Sequence, residues 1–155
     1  MQNNQMLNHI MDCIDSQKEP IIDRWMADNA LSALFAKYEV SKEYFAKHIA
    51  SQLFDMVVES IKTGIKATDY DGLSHLITFA NAKAIKFHQL ILLKDALFFA
   101  IVDVMYARGV FSKKAFDELS AIFSEIHKEV SEYILSKNVD FKAVYELEGQ
   151  KNFRL

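Results

Sequence analysis

Glycine and proline are almost missing from this chain, four and one respectively in 155 residues. Strands joined by hairpins need both at their turns, so a β-rich fold is excluded. Cysteine occurs once, as Cys13, which rules out an internal disulfide and a cysteine-built zinc site and fits a reducing cytoplasm. Positive charge is not in excess: the formal net charge is −3. With no basic cluster to displace counterions, nucleic acid is not an expected partner. The longest apolar run is broken by Lys94 and Asp95, too short to span a bilayer, so no membrane partner is expected. The start, MQNNQMLNHIMDC, lacks the basic end, apolar core and small-residue cleavage site of a secretory leader. A cytoplasmic location is the expectation.

Catalytic patterns are missing as well. There is no glycine-rich phosphate loop, no GxSxG elbow and no HExxH pair. A ferritin-like di-iron site would need Glu-x-x-His pairs projecting inward from two helices, whereas Glu125 and His127 are two apart and face different ways. The remaining carboxylates are scattered along polar helix faces, where they serve as solvated surface. No enzymatic activity is expected.

What is present is helical periodicity. Apolar residues recur three and four apart over long stretches free of glycine and proline, giving an all-α fold of at least five helices. Leu7, Ile10, Met11 and Ile14 share a face of a first helix, over about residues 5–17. Pro20 suits the first turn of a second, with Ile21, Ile22, Trp25 and Met26 inward. Residues 29–40 form a short helix or an irregular connection. Ser41 caps a long helix carrying Phe45, Ile49, Leu53, Met56, Val57 and Ile61, and Gly64 stops it. After the loop TDYDG, the next helix lines up Leu73, Leu76, Ile77, Ala80, Ala84 and His88, with a bend near residues 89–93. An apolar helix continues to Ala107, and RGVFS turns around Gly109. A last long helix follows Ser112 with Phe116, Leu119, Phe123, Ile126, Val130 and Tyr133 at near-heptad spacing. Residues 1–140 read as one domain and 141–155 as a linker stub.

Five histidines are the candidate chemistry. His9 and His127 lie on mainly polar flanks and read as surface residues; His75, near a helix start, reads the same way. His48 shares a line with Tyr44 and Gln52. His88 sits in the most apolar part of the chain, and steps of four back from it meet Ala84, Ala80 and Leu76. The two alanines leave room above the backbone for a flat ligand or a close helix. Two readings stay open: a core histidine with a hydrogen-bond partner, or an axial ligand to haem iron.

The spacing I-x-x-H-x-x-I-x-L-x-x-x-x-F, here Ile85, His88, Ile91, Leu93 and Phe98, resembles the proximal-histidine region of globin-coupled sensors. The element order, with QKEPIIDRW early and SKEYF opening a long helix, is similar to the globin-like N-terminal domains of RsbR-type stressosome proteins. The glycine and proline usual after the histidine are replaced here. The resemblance spans about residues 5–140. It implies a globin-like sensor domain of a bacterial signal-transduction protein, a homodimer feeding a downstream output domain. On its haem branch, b-type haem would be held by metal ligand His88 for sensing oxygen, another diatomic gas or redox state. Ala84, Ala80, Leu76, Ile85, Ile91 and Leu92 would line that pocket, Phe98 and Phe99 would pack on the porphyrin, and Tyr44 and His48 would lie on the distal side. The pocket would sit between the 41–63 and 73–89 helices. On the other branch the domain holds no haem and binds a fatty acid; a purely structural dimerisation module is the third expectation.

Overall fold

The computed structural model describes residues 2–137. The described residues are mostly helical, with no strand among them: α1 Gln2–Ser16, α2 Lys18–Met26, α3 Asn29–Lys37, α4 Lys42–Phe45, α5 Ser51–Thr63, α6 Asp71–Lys83, α7 Phe87–Ala107 and α8 Lys113–Lys137. A π-helical turn, Ala46–Ala50, joins α4 to α5 without a break, and a 3₁₀ turn, Ala67–Asp69, precedes α6. The all-α expectation is met. Among the described residues no helix is long and apolar enough to cross a membrane. The linker expected over 141–155 lies outside the described residues.

Local chemistry explains most boundaries. Asp28 caps α3 by accepting the Leu31 N–H, Ser41 caps α4 through the Tyr44 N–H, and Ser112 caps α8 through the Ala115 N–H. Gly64 closes α5 in the left-handed region at φ 75°. At the start of α6, a methyl group added to Gly72 would sit 3.2 Å from the Gln52 carbonyl oxygen, so glycine is what lets α6 lie against α5.

The stretch from Leu73 to His88 is not one helix. α6 stops at Lys83, Ala84 turns left-handed at φ 57°, and α7 starts at Phe87. The Ile85 N–H bonds the Ala80 carbonyl and the Ala84 N–H bonds the Asn81 carbonyl, the paired bonds of a Schellman closure. The same closure, also without glycine, follows α3, where Glu39 takes φ 54°. The restart of α7 is set by Gln89, whose side-chain oxygen reaches back to the Lys86 N–H and also accepts the Tyr38 hydroxyl. The expected bend near 89–93 therefore falls earlier, at residues 84–86, and α7 is straight-through helix from there on. A left-handed alanine is strained by its Cβ, and glycine is not. Ala84→Gly is expected to stabilise the fold by about 1 kcal/mol, read as a higher denaturant midpoint at unchanged slope.

Packing follows the apolar stripes. α7 lies along α2 and crosses α8, while α5 packs on α1 and α6. Ion pairs pin the outside: Lys62 to Asp12 between α5 and α1, and Arg24 to Asp103 between α2 and α7. The core runs from Met11 and Ile14 through Trp25, Phe45, Phe54 and Leu73 to Ile101, Leu119 and Ile134, all fully buried. In α8 the heptad residues Leu119, Phe123 and Ile126 face this core, while Phe116 of the same series is exposed.

Candidate functional site: an apolar cavity walled by α8

A partly open apolar cavity of about 90 Å³ lies among α5, α6, α7 and α8. Helical spacing puts each wall in place. On α5, Leu53, Met56 and Val57 recur at three and four; on α6, Leu73 and Leu76 face them. On α7, Leu90, Leu93 and Leu97 take the same role, and on α8 it falls to Phe123, Ile126, Val130 and Ile134, spread over three turns. Trp25 of α2 closes the inner end, with its indole N–H donating to the Leu93 carbonyl at 3.1 Å.

Three polar residues reach this cavity: Lys94 of α7, and His127 and Ser131 of α8. They keep partial solvent exposure, as do the neighbouring Ile91 and Val130, whereas the α2, α5 and α6 walls are buried. The mouth therefore opens between the first half of α7 and the second half of α8. Lys94 Nζ donates to Asp95 Oδ1 at 3.0 Å. No side chain among the described residues hydrogen-bonds the His127 ring. Burial holds the His127 pKa below its ordinary value of 6.5; the Lys94 charge adds to the shift and Asp95 opposes it.

The sign of the consequence is fixed by linkage. An imidazole kept neutral in the folded chain takes up its proton more readily in the unfolded chain, so stability is lost as pH falls through 6.5 and levels off below the folded-state value. Replacing His127 by glutamine is expected to remove part of the stability difference between about pH 7.5 and 5.5, measured as urea midpoints against the parent protein.

The residues expected to form a haem site are not brought together. His88 is exposed, the second residue of α7, and shares no face with Ala80 or Leu76, because the helix that was to carry all three ends at Lys83. Ala84 is exposed in its left-handed turn, while Ala80 and Ile85 are buried in the core. Leu76 and Ile91 do line the cavity; Leu92 packs partly buried beside the core. Phe98 sits 5.2 Å from Phe123 and 5.5 Å from Phe116, ring centre to centre, filling the α7–α8 contact, and Phe99 is 61% exposed. Tyr44 and His48 lie with ring centres 4.6 Å apart and tilted by 40° on the outer surface beside Phe79, and neither lines the cavity. The pocket is expected between the long helix from Ser41 and the helix after it; the cavity seen is walled by α2, α7 and α8 as well.

A haem held by His88 does not fit this arrangement. The imidazole points at solvent from a helix start, and the cavity is smaller than the apolar cavity of about 150 Å³ that admits a benzene ring. His127, whose polar flanks predict a surface residue, is half-buried at the cavity mouth. Its signal was the position four after Phe123 and three before Val130, at the edge of the α8 stripe. Lys94 was noticed only as a break in an apolar run. No family model, curated protein or solved structure matches this chain.

Proposed function

We propose that this domain is a non-haem sensor module that admits an apolar chain, of the fatty-acid kind, into the α5–α8 cavity and reports it through α8. One observation carries the reading: an apolar cavity whose polar lining among the described residues, Lys94, His127 and Ser131, stands at its mouth, with one wall supplied by three turns of a single long helix. Ligand sites are concave, mostly apolar and furnished with a few convergent polar groups.

The small volume supports a sensory role. A ligand that fitted a ready-made hole would bind without altering anything. An alkyl chain longer than a few carbons must part the walls, and it then favours the packing in which α8 stands farther from α5 and α6. Differential affinity of that sort is what moves a two-state equilibrium. In this reading α8 carries the shift toward a downstream output domain. Of the two branches of the resemblance to globin-like sensors, the fatty-acid branch is supported by the apolar lining of the cavity; the haem branch lacks a buried ligand at His88.

Calorimetric titration of solvent-extracted protein with decanoate tests the proposal. Saturable binding of one chain per domain supports it, and no binding contradicts it. A spectrum of protein made with haem supplied separates the branches: no Soret band that depends on His88 is expected.

Dimerisation is a second reading with its own observation. Phe99 and Tyr106 are exposed on one side of α7, seven residues apart, Val110 is exposed in the turn that follows, and Phe116 stands exposed near the start of α8. A homodimer through this stripe accounts for it, and Tyr106→Glu should then dissociate the pair in light scattering.

A further inference from the structure

The cavity has a polar end whose chemistry is specific. Lys94 and His127 approach it from different helices and lie close enough to sense each other's charge. Lys94 has three N–H donors, and Asp95 Oδ1 takes one of them. The His127 ring can accept when neutral and donates from both nitrogens when protonated. Among the described residues only apolar side chains reach the cavity from α5 and α6, and the charges acting on His127 are those of Lys94 and Asp95.

Resting on the apolar-chain reading above, we infer that Lys94 and His127 form the head-group end of the site, selecting a monoanionic head, and that His127 takes up a proton as the anion arrives. Among the described residues the mouth of the free protein holds the Lys94 ammonium, paired with Asp95, and the His127 imidazole, which burial disposes to the neutral form. An anionic head placed between Lys94 and His127 adds a negative charge in a region of low dielectric, which favours the imidazolium. The protonated ring then donates to the head group while Lys94 shares its ammonium between the head and Asp95. Serine at 131, one turn after His127 and also on the cavity wall, supplies a hydroxyl to the same end. Because His127 belongs to α8, its bond to the head group draws on the same helix that the chain pushes outward. Ligand occupancy and proton occupancy become one event on the reporting helix.

Affinity for an anionic ligand should consequently rise as pH falls toward the free-protein value of His127, and should flatten below it. The neutral-headed analogue should show no such slope, since it brings no charge to offset the proton.

The experiment uses three ten-carbon probes with different heads: decanoate, decanesulfonate and decanol, titrated into the full chain at about pH 6, 7 and 8. Decanesulfonate stays ionised throughout, so its pH dependence reports the protein alone. The expected result is that both anions bind about tenfold or more tighter than decanol, a preference that Lys94→Gln reduces to within about threefold without altering decanol binding. Decanesulfonate affinity should increase severalfold from pH 8 to pH 6, lose that slope in His127→Gln, and bind with proton uptake visible as a dependence of the heat on the buffer's ionisation enthalpy. Equal binding of all three heads, or an anion preference unmoved by Lys94→Gln, overturns the head-group assignment while leaving the cavity reading standing. A pH slope that persists in His127→Gln overturns the proton uptake. Failure of all three probes to bind overturns the cavity reading and this inference with it.

Discussion

Replacing Trp25 with alanine is expected to destabilise the domain by about 3–5 kcal/mol, the range for losing a large buried aromatic. The chain's one tryptophan is 1% exposed, closes the inner end of the cavity and bonds the Leu93 carbonyl across to α7. Truncation merges the void left by the indole with the cavity already there, so little of it can collapse. Trp25→Phe separates the two contributions. It retains most of the packing and loses the N–H donor, and about 1 kcal/mol is expected for that bond alone. Chemical denaturation of both variants measures the difference; a Trp25→Ala loss below about 1.5 kcal/mol would mean that α2 is not a wall of the core.

The second large effect is on binding. Val57→Phe places a ring inside the cavity from α5, where Val57 is 7% exposed. A ligand must then displace that ring or overpack the site by about 1–3 kcal/mol, which is roughly a 5- to 150-fold loss of affinity for decanoate. Met56→Ala acts in the opposite direction. It is expected to lower the stability of the free protein by about 2–5 kcal/mol and to tighten binding, because the chain fills the space the methionine vacated. Calorimetric titration of the two variants gives effects of opposite sign if the chain occupies this cavity, and effects of the same sign if it binds elsewhere.

The fold class and most helix ends were legible in the sequence because their determinants are local. Ser41, Gly64, Gly109 and Ser112 each act within one turn of their own position, and the apolar stripes of α1, α2 and α5 repeat at helical spacing. The break between α6 and α7 was not legible. Its left-handed residue is an alanine, its capping side chain is Gln89 three residues into the next helix, and Tyr38, which also bonds Gln89, comes from fifty-one positions away. Once that break is missed, His88 is carried onto the wrong face. Ala80, Ala84 and His88 look like one stripe only if the helix continues.

The site was half legible for a related reason. Leu76 is legible through periodicity and Ile91 through the spacing of the resemblance, since an apolar wall residue and an apolar core residue carry the same pattern. Lys94 and His127 were passed over because a charged or titratable residue at the edge of a stripe looks like surface until the facing helix is known. Here α7 and α8 meet so that both edges turn toward one opening. Phe98 and Phe99 show the converse: adjacent residues on one helix point to different surroundings, and only Phe98 packs against α8.

The position of Trp25 at the inner end of the cavity provides the most direct test of the central claim. Titration with a fatty acid brominated at its terminal carbon should quench the tryptophan fluorescence saturably, at one chain per domain, because the chain end must lie against the indole when the head group is at Lys94 and His127. Bromine on the carbon next to the carboxylate should quench far less at the same occupancy, and Val57→Phe should weaken both titrations together. Quenching that does not saturate, or that is equal for the two bromine positions, would contradict a chain bound in the α5–α8 cavity with its head at the α7–α8 mouth.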